Sequence, residues 1–217
     1  IEAGVFSTSG KISFANATEN TVPAIAVLTL YKFKLGSTEF AADVKRNRDG
    51  AYAIAVKGSG FDASPFVGPD LQGVDAPKLP PFRLTGAFDK FWIGPGAATN
   101  NVNMKLHYDG AHWQHIDVVG ALPNGGKAIE IRMLPNAEGH VMALYSADAG
   151  VFLKALDITD TIVGGSIEVS GVRKGGSDAP WTGAAEMKGF RVANAPNMAR
   201  LLTIASLTGI SNLAAGK

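Results

Sequence analysis

Apolar and polar residues alternate with a period of two along most of this chain, and each alternating run ends in a turn signal. Phe40, Ala42 and Val44 interleave with Glu39, Ala41 and Asp43; Arg48-Asp49-Gly50 then turns the chain, and Tyr52, Ile54 and Val56 resume the pattern. Successive side chains of a strand point to opposite faces, so such runs fold as strands with one apolar face. Asp-Gly supplies the positive φ angles that tight hairpins require. Further along, Val102, Met104, Leu106 and Tyr108 face one way, and Asn103, Lys105 and His107 the other. Asp109-Gly110 leads into His115–Leu122. Ile129, Ile131 and Met133 alternate with Glu130 and Arg132, turn at Pro135–Gly139 and return through Val141–Tyr145. Ile167, Val169 and Gly171 pass through the loop Gly175–Pro180 to Trp181–Val192. Hairpins in series predict a mainly β protein, an antiparallel meander forming a curved, groove-like sheet. The 26 glycines among 217 residues suit that many turns.

Helices are few. Asp148 is placed to cap a helix over Val151–Ile158, within a helical region near residues 149–158. Asn194-Ala195-Pro196 opens a longer one, reaching residue 213, with Met198, Leu201, Leu202, Ala205 and Leu213 at helical spacing. These helices are expected to pack on the sheet or close it. Gly60-Phe61-Asp62-Ala63, Ser146-Ala147-Asp148-Ala149 and Val192-Ala193-Asn194-Ala195 form a faint repeat in which a strand, an Asx-Ala pair and a helical turn follow one another. The Pro-rich stretch Pro69–Pro81 is the one plausible linker. It divides the chain into a β-meander segment over residues 1–80 and a second β region with the helices over 81–217.

The chemistry-bearing residues do not assemble into a catalytic pattern. A formal net charge of +1 argues against a protein that holds nucleic acid by neutralising phosphates. The Tyr31-Lys32-Phe33-Lys34 patch reads as a strand with a solvated lysine face. With no cysteine there is no disulfide framework, thiolate metal site or thiol nucleophile. His107, His112 and His115 lie close in sequence, but 112 and 115 point to opposite faces of a strand and no carboxylate completes a zinc pattern. Ala121–Ala128 imitates a phosphate loop without its first Gly or its final Ser/Thr. No Gly-x-Ser-x-Gly elbow is present, and Asp157 and Asp160 sit where capping and solvation account for them. The expectation is a protein that is not an enzyme and has no metal or cofactor.

Two features point elsewhere. Between Pro196 and Gly216 the only charge is Arg200, whereas a surface helix normally carries a charged stripe. Some strands, such as Val118-Val119 and Val141–Tyr145, are apolar on both faces. Alternation by itself fits either a sandwich core or a lipid-lined trough. No apolar run reaches the roughly 18 residues of a membrane span, and because Ile1 leads straight into the alternation without a basic and apolar leader pattern, no signal peptide is expected within this sequence. The chain is expected to be a soluble piece of a longer protein.

The run Gly189-Phe190-Arg191-Val192-Ala193-Asn194-Ala195-Pro196, continued by Ala199-Arg200-Leu201-Leu202 and Ala205-Ser206-Leu207-Thr208-Gly209-Ile210, resembles the C-terminal region of AsmA-like proteins of the bacterial envelope. Phe91-Trp92-Ile93-Gly94-Pro95-Gly96, Asp109-Gly110 followed by Trp113, and Tyr145–Leu156 leading to Gly164-Gly165-Ser166-Ile167 add weaker likeness. It covers Phe82–Lys217 well and the first 80 residues loosely. The resemblance implies a periplasmic protein of a Gram-negative bacterium, anchored in the inner membrane by an N-terminal segment this chain lacks. Its β-groove would carry phospholipid or fatty-acyl chains between the inner and outer membranes. Such a family has no catalytic residues to carry over. Val102, Met104, Leu106, Ile129, Ile131 and Met133, with Leu201 and Leu202 of the last helix, are the expected lipid contacts. An alternative function is a structural or assembly module that binds envelope protein partners through an exposed strand edge in outer-membrane biogenesis.

Overall fold

The computed structural model describes residues 6–15, 23–64, 79–94, 97–121, 127–156, 158–176 and 179–193. Its strands are β1 (Ser7–Phe14), β2 (Ile25–Leu35), β3 (Thr38–Arg46), β4 (Tyr52–Asp62), β5 (Phe82–Gly94), β6 (Ala97–Tyr108), β7 (Trp113–Ala121), β8 (Lys127–Asn136), β9 (Gly139–Ser146), β10 (Ile162–Val163), β11 (Ser166–Lys174), β12 (Thr182–Lys188) and β13 (Arg191–Val192). One helix, α1 (Ala149–Ala155), is described. Eleven strands make one open sheet in the order β1-β2-β3-β4-β5-β6-β7-β8-β9-β11-β12, not closed into a barrel. Sequence order is thus nearly spatial order, as a chain of hairpins dictates. The expected helix over 196–213, with Leu201 and Leu202, lies outside the described residues.

One junction departs from the meander. β4 and β5 are parallel, in register from Tyr52↔Phe82 to Asp62↔Trp92. A parallel neighbour needs a crossover of a dozen or more residues, because the chain must return to the end where it began. The segment between Asp62 and Phe82 supplies that length, and its prolines cannot donate to a ladder. The Tyr52 N–H donates to the Pro81 carbonyl at 2.8 Å, tying the start of β5 to the start of β4. Hydrogen bonding therefore runs unbroken from β4 to β5. A second departure lies at the C-terminal side. Trp181–Val192 does not return as one strand: at Gly189 (φ +66°) the chain leaves β12, and β13 pairs with β10 instead.

Register turns the alternation into two chemically distinct faces. Ile12, Leu28, Val44, Ile54, Leu84, Leu106, Ile116, Met133 and Met142 stand opposite one another in a single row across β1 to β9. A second row runs Leu30, Ala42, Val56, Gly86, Met104, Val118, Ile131, Leu144, Val169 and Ala185, from β2 to β12. The reverse face carries the row Thr29, Asp43, Ala55, Thr85, Lys105, Asp117, Arg132, Ala143, Ser170 and Ala184. There Thr29 Oγ1 donates to Asp43 at 2.9 Å, and Arg132 pairs with both Asp117 and Glu130. Lys32 and Lys34 both reach Glu39, and their hydrogen bonds hold its carboxyl below the usual carboxylate range.

The core sits at one end of the apolar face, under α1. Asp148 caps the helix, its carboxylate accepting the Val151 N–H at 3.0 Å. Phe152 and Leu153 then pack with Ile129, Ile162, Ile167 and Val169, and Ile93 at the far end of β5 joins them. The helix begins at the start of the expected 149–158 region, two residues before Val151, because Ala149 and Gly150 are themselves buried, and it ends three residues before Ile158, where Leu156 already forms the C-cap. Two of the three Asx-Ala sites turn the chain at a strand end with the Asp side chain accepting a backbone N–H, from Ser64 two residues after Asp62 and from Val151 three residues after Asp148, and Ala63 and Ala149 are both buried. Both corners close strands that run in the same direction, β4 and β9. The third, at Asn194, lies outside the described residues.

Candidate functional site

The six strand residues expected to contact lipid fall on one face and into three neighbouring rows. Leu106 and Met133 flank Ile116, Met104 and Ile131 flank Val118, and Val102 and Ile129 flank Gly120. β7, which no expected contact occupied, is thus the middle strand of the site. Its signal was present in the sequence, since Ile116 and Val118 share the parity of the pattern. The rows also recruit Leu84, Ile54 and Val44 on one side and Leu144, Met142 and Val169 on the other.

Local packing divides the six. Met104, Leu106 and Ile131 are half-buried, whereas Val102, Ile129 and Met133 are buried. Gly120 explains the first two: a Cβ there would stand 3.0 Å from Ile129 Cγ2 and 3.1 Å from Val102 Cγ2, so both side chains close over its empty position. Gly86 plays the same part for Met104, whose Cγ would be 2.7 Å from an added Cβ. Met104 thereby lies flat across β5 and levels the face.

Aromatic rings border the face at both ends. At the α1 end, Phe33 and Phe40 stack at 4.9 Å, Phe40 meets Phe61 at 6.3 Å, and Phe61 meets Phe88 at 5.3 Å and Phe91 at 5.5 Å. Phe6 extends this ladder to β1, 5.7 Å from Phe33. At the opposite end Phe82, Tyr108 and Trp113 form a trio with centroids 5.3–5.8 Å apart. Such pairs add about 0.5–1.5 kcal/mol beyond their buried area.

No family model, no curated protein and no solved structure matches this chain. What the face can do follows from its own chemistry.

The histidines lie apart from the apolar rows, with one exception. His107 stands opposite His115 on the polar face, and Arg83 Nη1 approaches His107 Nδ1 at 3.4 Å. Burial, then the Arg83 charge, push His107 below the ordinary histidine value. His112 lies in the hairpin turn, where its backbone N–H and that of Ala111 donate to Asp109 and lower that carboxyl. Among the described residues, no three His, Asp or Glu side chains converge as metal ligands. Two depressions, of about 590 and 750 Å³, also lie on the polar side, over Asp43, Lys105 and Asp117 and over Arg83, His107 and His115. Charges of both signs line each of them, in the first beside Ala41, Ala55, Ala87 and Val119.

His140 is the exception. It shares the parity of Met142 and Leu144 and so stands on the apolar side, opposite Arg173. Arg173 Nη2 lies 3.1 Å from His140 Nδ1, and Trp181 covers the guanidinium at 5.0 Å. Arginine only donates, so Nδ1 accepts and the imidazole proton sits on Nε2. Burial first, and the Arg173 charge second, push the His140 pKa below 6.5. The unfolded chain therefore binds this proton at a higher pH than the folded one, and the His140 contribution is lost as pH falls below about 6.5. Urea unfolding at pH 8 and pH 5 should show lower stability at pH 5, with a smaller difference in His140→Gln. An unchanged difference in that variant would refute the assignment.

Proposed function

We propose that this chain is a non-enzymatic segment of an AsmA-like envelope protein, and that its apolar sheet face receives the acyl chains of phospholipids or fatty acids. In this reading it works in the periplasm, as part of an inner-membrane-anchored conduit toward the outer membrane. The observation that carries it is the pair of apolar rows that cross β1–β9 and β2–β12 without a polar side chain. Among the described residues, α1 and its neighbours cover one end of that face. Ten interstrand gaps of about 4.8 Å make the sheet about 48 Å wide, against about 15 Å for the hydrocarbon thickness of one leaflet. Several acyl chains fit side by side. Each methylene removed from water contributes about 0.8 kcal/mol, without directional partners, which matches a face that offers none. Strand ladders satisfy the backbone within the sheet, so its apolar side can be covered by hydrocarbon without stranding polar groups.

The test is native mass spectrometry of the purified chain, followed by titration with a fluorescent fatty acid. Co-purified phospholipid or fatty acid and saturable uptake are expected. A lipid-free protein that takes up no fatty acid would overturn the reading. Partner binding through a strand edge is a second reading, favoured by one observation: β1 is exposed at every residue.

A further inference from the structure

The open edge of the sheet has a sequence that complements itself. β1 ends the strand order, and no described element pairs with its outer side. All eight residues of Ser7–Phe14 are exposed, including Ile12 at 51% and Phe14 at 55%, as is Phe6 just before them at 59%. Edge strands are commonly blunted by bulges, prolines or charges aimed into the apolar side. β1 has none of these. Its register shifts against β2 leave Tyr31 and Ala26 unopposed, so the extra residues belong to β2 and β1 itself runs regular. Its only charge, Lys11, has the parity of the polar face.

We propose that β1 pairs antiparallel with β1 of a second copy of this chain, about a two-fold axis through Gly10 and perpendicular to the sheet. Residues directly opposite must share a face, so the two residue numbers of each pair must sum to an even number. A Gly10 centre sets Thr8 against Ile12 of the second copy, Phe6 against Phe14, Ser7 against Ser13 and Ser9 against Lys11. A Lys11 centre would instead set two ammonium groups directly opposite each other, which is unfavourable. The Gly10 register thus makes apolar contacts on the apolar side and keeps the lysines off each other. It also sets Phe6, the outermost ring of each copy's phenylalanine ladder, against Phe14 of the other copy, and doubles the sheet to a continuous apolar face of 22 strands, eleven from each copy. β12, the other outer strand, offers only Met187 as a large apolar side chain on that face. The interface is isologous and small, so association is weak and depends on concentration.

Sedimentation velocity over a wide range of concentration tests this independently of acyl-chain binding. Wild type should show a monomer–dimer equilibrium. Ile12→Lys aims a charge into the apolar side of the edge and should weaken the dimer about tenfold or more. Ser9→Glu places a carboxylate opposite Lys11 of the second copy twice over, and should tighten the dimer about three- to tenfold. A gain of that kind cannot arise from misfolding. Ser13→Glu faces Ser7 in this register and should leave the equilibrium unchanged. A protein that stays monomeric at every concentration, a dimer indifferent to Ile12→Lys, or tightening by Ser13→Glu in place of Ser9→Glu would each overturn the proposal.

Discussion

Replacing Met104 and Leu106 together by glutamate is expected to abolish measurable acyl-chain uptake while the sheet still folds. Both side chains are half-buried on β6, in adjacent rows near the middle of the apolar face, and neither belongs to the cluster under α1. In the free protein their carboxylates would reach water, and the Cγ of the glutamate replacing Met104 would still lie across the position left open by Gly86, as that of Met104 does. Bound hydrocarbon would remove that water and leave two unpaired charges covered. An acidic residue in the middle of a hydrocarbon layer costs about 2.5–3.5 kcal/mol, or about a hundredfold in affinity for each site. Asn103→Glu and Ala143→Glu carry the same charge on the polar face, where both residues are exposed, and should leave uptake unchanged. Fatty-acid titration of the double variant and the two controls, with thermal melts alongside, separates loss of binding from loss of fold. Equal uptake by the double variant and wild type would mean that hydrocarbon does not lie on this face.

What the sequence made legible is parity, and what it hid is pairing. The interleaving of Val102, Met104 and Leu106 with Asn103 and Lys105 states which side chains share a face, because a strand reverses at every residue. The same parity sets His140 beside Met142 and Leu144, a placement that the structure shows and the reading of Val141–Tyr145 as a strand leaves out. Order is a different matter. Nothing local in Tyr52–Asp62 or Phe82–Gly94 says that the two run parallel; only the length between them permits it. The depth of burial is also non-local. Val102 and Ile129 read like Met104 and Ile131, and they are buried because Gly120, from the strand between, has no side chain to hold them apart. β12 and β13 read as one strand because the departure at Gly189 depends on a partner, β10, that precedes it by many residues. Ile93 and Ile162 likewise join the core through folding of distant segments, which no window of sequence contains.

Leu153→Ala is expected to be the most destabilising single truncation, at about 2–5 kcal/mol, out of a total of about 5–15 kcal/mol for a domain. α1 has seven residues, too short to persist by propensity alone. Its cap satisfies one orphan donor, and the rest of its stability must come from packing. Leu153 is 1% exposed, the largest fully buried side chain described, and it bridges the helix to the strands below. The surroundings have little freedom to collapse into the space it would leave. Ile129, Ile167 and Val169 are fixed by ladders on both sides, and Gly150 already sits so close to the Ile162 carbonyl that an added Cβ would lie 2.5 Å from it. The neighbour Val151 is 40% exposed on the outer side of the same helix, so Val151→Ala removes little contact and improves helix propensity. Urea unfolding should therefore separate the two by more than about 2 kcal/mol. Amide exchange should then quicken first in α1 and the β10–β13 ribbon, while the central ladder keeps its protection. Equal losses from the two substitutions would mean that α1 rests on the sheet without interlocking with it, and the core at that end would have to be assigned elsewhere.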